Sequence, residues 1–108
     1  MSYGVWLEID TGGDEPAIIS DTDFSYTTNC ARMWRHAGID LRDCKGAPCS
    51  EAAGPIADAV KRMEADPDTY RAMNPENGWG DYEGALRFLR QVAEACAQHP
   101  KARLAVSH

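Results

Sequence analysis

Asp81-Tyr82-Glu83-Gly84-Ala85-Leu86-Arg87-Phe88-Leu89-Arg90-Gln91-Val92-Ala93-Glu94-Ala95-Cys96-Ala97-Gln98 is the stretch that decides how this chain folds. Tyr82, Ala85, Leu86, Leu89, Val92, Ala93 and Cys96 recur at helical spacing and make one apolar face about five turns long. Asp81 is a good N-cap, and Pro100 follows the last periodic residue. A helix with one long apolar stripe needs a second layer to bury it. Gly84 breaks the rule for a first turn, since glycine costs about 1 kcal/mol there relative to alanine. It therefore predicts a close approach by another backbone or by a ligand.

Immediately upstream, Asn74-Pro75-Glu76-Asn77-Gly78-Trp79-Gly80 reads as a loop feeding that helix. Pro75 fixes φ, Asn77-Gly78 is a turn pair that tolerates positive φ, and Gly80 frees the backbone before the cap. Trp79 stands between two glycines. Two readings follow. Either the loop is a tight connector whose tryptophan plugs the core between helices, or the tryptophan is a stacking surface beside a helix N-terminus that attracts anions.

Farther from this centre, Tyr3, Val5, Leu7 and Ile9 alternate with Gly4, Trp6 and Glu8, which predicts a strand with one buried face. Thr11-Gly12-Gly13-Asp14 is a turn, and residues 16–20 form a short antiparallel return, with Pro16 marking an edge or a strand start. Ala102 to Val106 adds another strand. Thr27, Thr28 and Asn29 offer caps for a helix carrying Cys30, Met33, Trp34 and Ala37 and ending at Gly38. A second helix covers Ser50 to Ala65, its regular part beginning at Pro55. Asp66-Pro67 then opens a short helix through Met73. The pattern predicts a single globular α+β domain over residues 1–108, a small antiparallel sheet of about three strands covered on one face by three to four helices.

Of the 17 acidic residues, Glu8, Asp10, Asp14, Glu15, Asp21 and Asp23 fall before Arg32, where there is no Lys or Arg. The net charge of -6 therefore belongs to the N-terminal third. Such a surface excludes binding to double-stranded nucleic acid, which needs clustered cations. No run approaches the ~18 apolar residues of a membrane span, and Met1-Ser2-Tyr3-Gly4 lacks a basic segment leading into an apolar core. A cytoplasmic protein with no membrane partner is the expectation. The four cysteines are then reduced thiols, Cys30 and Cys96 in the core and Cys44 and Cys49 in a loop. With no second pair beside Cys44 and Cys49, the spacing of a zinc ribbon is absent, and His36 is the only further ligand nearby.

No nucleophile elbow, Walker loop, His-Glu-x-x-His or dinucleotide fingerprint occurs. Asp21 and Asp23, with Asp81 and Glu83, are the carboxylates that a metal-dependent hydrolase would use, although turn chemistry and the helix dipole also account for them. His99 and His108 lie near the C-terminus, where His108 is expected to be disordered. The remaining parts suit binding. Trp79 or Tyr82 supplies a ring face, and Asn74 and Asn77 supply amides. From the start of the first helix, Tyr26, Thr28, Asn29 and Arg32 join them, with Arg35 and His36 as further cations for a phosphate. These eight, Tyr26, Thr28, Asn29, Arg32, Asn74, Asn77, Trp79 and Tyr82, are the candidate ligand-binding residues. No catalytic residue, metal ligand or cofactor is assigned.

Tyr26-Thr27-Thr28-Asn29, Ala37-Gly38, Asp66-Pro67 and the loop Asn74-Pro75-x-Asn77-Gly78-Trp79-Gly80-x-Tyr82-x-Gly84 together resemble a group of small proteins encoded by bacteriophages and prophages. The resemblance runs from about Tyr26 to Cys96 and implies a viral origin and action in the host cytoplasm. The usage of Arg over Lys, eight against three, fits a GC-rich phage genome. Phage proteins of this size without catalytic motifs commonly act by binding, an argument from analogy. Two expectations follow: sequestration of a nucleotide-type small molecule such as a host immune signal at residues 74–82, or inhibition of a host protein as a docking adaptor. Pockets between subunits are common in small folds, so a homo-oligomer fits either.

Overall fold

A computed structural model describes residues 2–107; Met1 and His108, including the expected disorder of the latter, lie outside the described residues. β1 (Ser2–Ile9) buries Tyr3, Val5 and Leu7 and leaves Gly4, Trp6 and Glu8 half-exposed on the opposite face, as its alternation predicts, whereas Ile9, at the strand's end beyond the helices' cover, is exposed. β1 is the centre of an antiparallel sheet. β4 (Arg103–Ser107) lies along one edge, with Leu7 opposite Leu104. The other edge is shared end to end by β3 (Phe24–Thr27), with Tyr3 opposite Tyr26, and β2 (Ala17–Ile18), with Ile9 opposite Ala17.

Between β2 and β3 the ladder is completed by a side chain. The Leu7 N–H donates to Thr22 Oγ1 at 3.2 Å, and the Thr22 hydroxyl donates to the Ile19 carbonyl at 2.6 Å. Thr22 is accordingly buried, and Asp21 before it takes a positive φ of 62° to make the turn. The carboxylate pair 21 and 23 thus belongs to a turn that closes the sheet.

β3 is the strand that the alternation did not reveal. Four residues are too few to display a period, and Thr27 was legible only as a cap. It caps as well: Thr27 Oγ1 accepts the Asn29 N–H at 3.3 Å as the strand turns into a 3₁₀ segment, Thr28–Cys30. α1 (Ala31–His36) follows, one residue later than the capping pattern placed it, and a second 3₁₀ turn, Leu41–Cys44, precedes α2 (Cys49–Ala65). α2 does not wait for Pro55, which sits inside it; the proline lacks the N–H that would bond the Glu51 carbonyl, on a side of the helix that faces water. α3 (Pro67–Arg71) is shorter than expected, and α4 (Tyr82–Gln98) has the bounds its sequence predicts.

The helices pack on the Tyr3-Val5-Leu7 face, with α2 and α4 against each other and α4 against β3. An aromatic chain links sheet to helix: Tyr3 meets Trp34 at 5.7 Å, Trp34 meets Phe88 at 5.2 Å, and Phe88 meets Tyr26 at 6.1 Å between ring centroids. Trp34 Nε1–H also donates to the Ala85 carbonyl at 3.2 Å. Phe88 falls outside the stripe read from spacing, because α4 buries against both α2 and the sheet and so needs a wider apolar face.

All four cysteines are buried free thiols. Cys44 and Cys49 are not in an open loop; the first ends the second 3₁₀ turn and the second opens α2. Burial, with the Asp81 charge second, pushes the Cys30 thiol up to about 11, and burial pushes the Cys96 thiol further. Raised thiols keep their protons in the folded state where the unfolded chain has lost them, so the folded state binds more protons above the ordinary value of 9.0. Stability should therefore fall as pH rises above 9.0, the Cys30 share of the fall ending near 11, as urea midpoints under reducing conditions would register. Gly54, exposed inside α2 with nothing within 4 Å of where a Cβ would stand, should gain about 0.5–1 kcal/mol on Gly54→Ala, measured by the same unfolding.

Candidate functional site

The side-chain oxygens of Asn74, Asn77 and Asp81 hold the shape of the loop before α4. Asn74 Oδ1 accepts the Tyr82 N–H at 2.8 Å, Asn77 Oδ1 accepts the Trp79 N–H at 2.9 Å, and Asp81 Oδ1 accepts the Gly84 N–H at 2.7 Å. Gly78 and Gly80 stand at φ of 76° and 99°, which explains both glycines through the backbone alone. The helix N-terminus is thereby capped by protein oxygens, one of them a carboxylate. Three of the N–H groups that open it, those of Asp81, Tyr82 and Gly84, already have side-chain partners, which weakens the anion site expected there.

Tyr26 locks the loop to the sheet. Its hydroxyl accepts the Asp81 N–H at 3.0 Å and donates to the Asp81 carbonyl at 3.4 Å, while its ring stacks on Phe88. A Cβ on Gly84 would collide with the Tyr26 ring and hydroxyl, and one on Gly80 would stand 2.5 Å from Thr27 Cγ2. The close approach implied by Gly84 is therefore a tyrosine of this chain. Burial raises the Tyr26 phenol above its ordinary value, opposed by its bond to the Asp81 backbone, so it is a neutral donor and acceptor.

Trp79 is the residue these constraints leave over. It is 69% exposed, so it is not the core plug that one reading predicted. Its indole stands at the rim of an open cleft of about 560 Å³ lined by Ser2, Ser25, Tyr26, Thr27, Asn29, Asn77 and Trp79. Ser2 is opposite Thr27 and Gly4 is opposite Ser25 across β1 and β3, so these small side chains belong to the sheet face away from the helices. The cleft is the corner where that open face meets the loop.

Of the eight candidates, Tyr26, Asn29, Asn77 and Trp79 come together there. The other four do not line it. Tyr82 is buried, stacks on Tyr70 and donates its hydroxyl to the Met63 carbonyl at 2.7 Å. Asn74 is consumed by the cap of α4, and Thr28 sits in the 3₁₀ turn, where its carbonyl accepts the Ala31 N–H. Arg32 Nη2 donates to the Met73 carbonyl at 2.8 Å, bracing the loop rather than facing the cleft, and the His36 ring meets the edge of Tyr70. Ser2, Ser25 and Thr27 were missed because their membership depends on β3, for which the sequence carries no periodic signal.

The segments that supply most of the lining, residues 25–29 and 74–79, carry one charged residue, Glu76. Asp21 lines a separate hollow with Glu94 and His99, and Asp81 turns its carboxylate to the Gly84 N–H. The carboxylates proposed for metal chemistry are dispersed: Asp81 caps α4, Glu83 pairs with Arg71 at 2.9 Å, and no three ligating side chains among the described residues are placed to hold a metal ion. No helix among the described residues is long and apolar enough to cross a membrane. The arrangement can stack a flat or cationic group on Trp79 and exchange hydrogen bonds through Asn29, Asn77 and the hydroxyls.

Separating shape from contact gives a test by unfolding. Gly84→Ala should cost about 1–3 kcal/mol by displacing Tyr26, whereas Trp79→Ala should stay within about 0.5 kcal/mol of the parent. No protein-family model, curated protein or solved structure matches the chain.

Proposed function

We propose that this chain is a phage-encoded binding protein that acts on a host protein as an inhibitor or adaptor, using the cleft beside Trp79. The observation that carries the reading is Trp79 itself, a large aromatic 69% exposed on a loop whose other features are accounted for by its own backbone. Exposed aromatics held rigidly lose little entropy on contact and are favoured as anchors of protein interfaces. The net charge of -6, with no Lys or Arg before Arg32, favours a neutral or basic partner over an anionic one.

A second reading, sequestration of a nucleotide-type molecule, is supported by the amides of Asn29 and Asn77 beside the Trp79 ring, which suit a nucleobase. Its phosphate has less support, because Arg32 is engaged elsewhere and the opening N–H groups of α4 are bonded. The two readings part in one experiment. A bacterial extract is divided by ultrafiltration, and each fraction is tested for its effect on the melting temperature and on quenching of Trp79 fluorescence by acrylamide. The inhibitor reading expects stabilisation and shielding from the macromolecular fraction only, with a Trp79→Ala protein unresponsive; a site at a hundredfold excess over Kd adds about 2.7 kcal/mol. Stabilisation by the small-molecule fraction or by added nucleotides selects the second reading, and an unchanged response in Trp79→Ala removes both.

A further inference from the structure

The edges of this sheet are treated unequally. Along β4, the segment from Gly46 to Pro48 covers the outer side as far as Leu104, with the Gly46 N–H on the Leu104 carbonyl at 2.8 Å and the Leu104 N–H on the Ala47 carbonyl at 2.9 Å, and Arg103 adds a charge to the strand. β2 is only two residues long, is preceded by Pro16 and lies beyond the acidic pair Asp14 and Glu15. These are ordinary ways of blunting an edge. β3 has none of them: Phe24-Ser25-Tyr26-Thr27 contains no proline and no charge, and no strand among the described residues pairs with its outer side.

The direction of its backbone groups follows from the register. Leu7 turns both its N–H and its carbonyl toward the edge that β2 and β3 share, to Thr22 and Ile19. Backbone direction alternates along a strand, so Tyr3 and Val5 face that edge too, and their partners Tyr26 and Phe24 make the hydrogen-bonded pairs. Ser25, opposite Gly4, then points its N–H and carbonyl away from β1, and Thr27 points its N–H the same way. Ser25 and Thr27 both line the cleft whose rim is Trp79. An open row of strand donors and acceptors and an exposed indole thus share one opening.

We infer that the cleft takes an extended peptide segment of the partner, added as a further strand on the outer edge of β3, with a Lys or Arg side chain of the segment placed near the Trp79 ring. This rests on the inhibitor reading above and specifies its partner. Backbone pairing at Ser25 supplies the register and alternate side chains the selectivity, the usual division of labour in strand addition. The basic side chain is favoured by Glu76 on the loop and Asp23 beside the start of β3, by the lack of any Lys or Arg before Arg32, and by the indole face, which attracts cations. A second copy of this chain would bring a further net charge of -6 to the edge, which disfavours it as the occupant.

The test uses a display library of random linear peptides selected on the whole protein. Selected peptides should carry Lys or Arg, and N-methylation of the best of them should abolish binding at alternate positions only, since a strand offers every second N–H to its neighbour. Ser25→Pro, which removes the outward donor, and Trp79→Ala should each weaken binding by about tenfold or more. Peptides that need Trp79 but tolerate Ser25→Pro and N-methylation at every position overturn strand addition and leave the inhibitor reading standing. If selection yields no peptide, or only peptides indifferent to Trp79→Ala, the proposed strand addition is overturned, and the fractionated-extract experiment decides the inhibitor reading by itself. Should Ser25→Pro fail to fold, the N-methyl series on the unaltered protein decides alone. Sedimentation of the protein by itself is the final arm: a dimer abolished by Ser25→Pro assigns the edge to a second copy and overturns the proposal.

Discussion

The seat of Tyr26 on Gly84 is the contact on which the rest of the arrangement depends. It joins a four-residue strand to the N-terminus of the longest apolar helix face, and it does so with both surfaces of the ring system in use: the phenol on the Asp81 backbone, the ring on Phe88. That seat adds to the ladder of β3 with β1, and to the packing of Phe24 on the core, a hydrogen-bonded tie between the sheet and the loop before α4. Glycine is required because any Cβ at position 84 would occupy the space of the tyrosine. The modest helical penalty of a first-turn glycine is offset by an aromatic packed in its place.

That constraint also separates what is structural in the loop from what is not. Asn74, Asn77, Gly78, Gly80, Asp81 and Gly84 each have a stated backbone or packing role, and Tyr82 belongs to the core with Tyr70 and Met63. A pattern dense in glycine, asparagine and aromatic residues therefore reads mostly as a clasp. Trp79 is the exception. A clasp this fully bonded holds its one unsatisfied aromatic at a fixed position, which is the condition for an anchor that loses little entropy on contact.

Charge and backbone polarity then narrow what such an anchor can meet. An anion would find a chain of net charge -6 and bonded N–H groups at α4, with Arg32 turned to the Met73 carbonyl. An extended chain would find open donors and acceptors on β3, a sheet face of small side chains and a ring that favours cations. Both observations come from segments nearly fifty residues apart that Tyr26 brings together through Asp81, 55 positions away along the chain.

By itself the sequence determined the elements whose period is long enough to be seen: β1, α2, α4 and β4, the α+β class, the cap at Asp81 and the need for a close approach at Gly84. Its charge distribution determined the acidic character of the N-terminal third. Tertiary structure alone decided β3, because a strand of four residues has no period of its own and exists through its pairing with β1. It alone decided where α2 begins, since a proline in a helix is tolerated when the missing bond faces water. It decided the fate of the candidate site residues as well: Tyr82, Asn74 and Arg32 carry side chains equally suited to a ligand or to the protein's own backbone, and only the partners within reach settle which. Trp79 was conspicuous between its glycines from the start, but its exposure is a property of the surface around it, made by Ser25 and Thr27 from a strand the periodicity could not show.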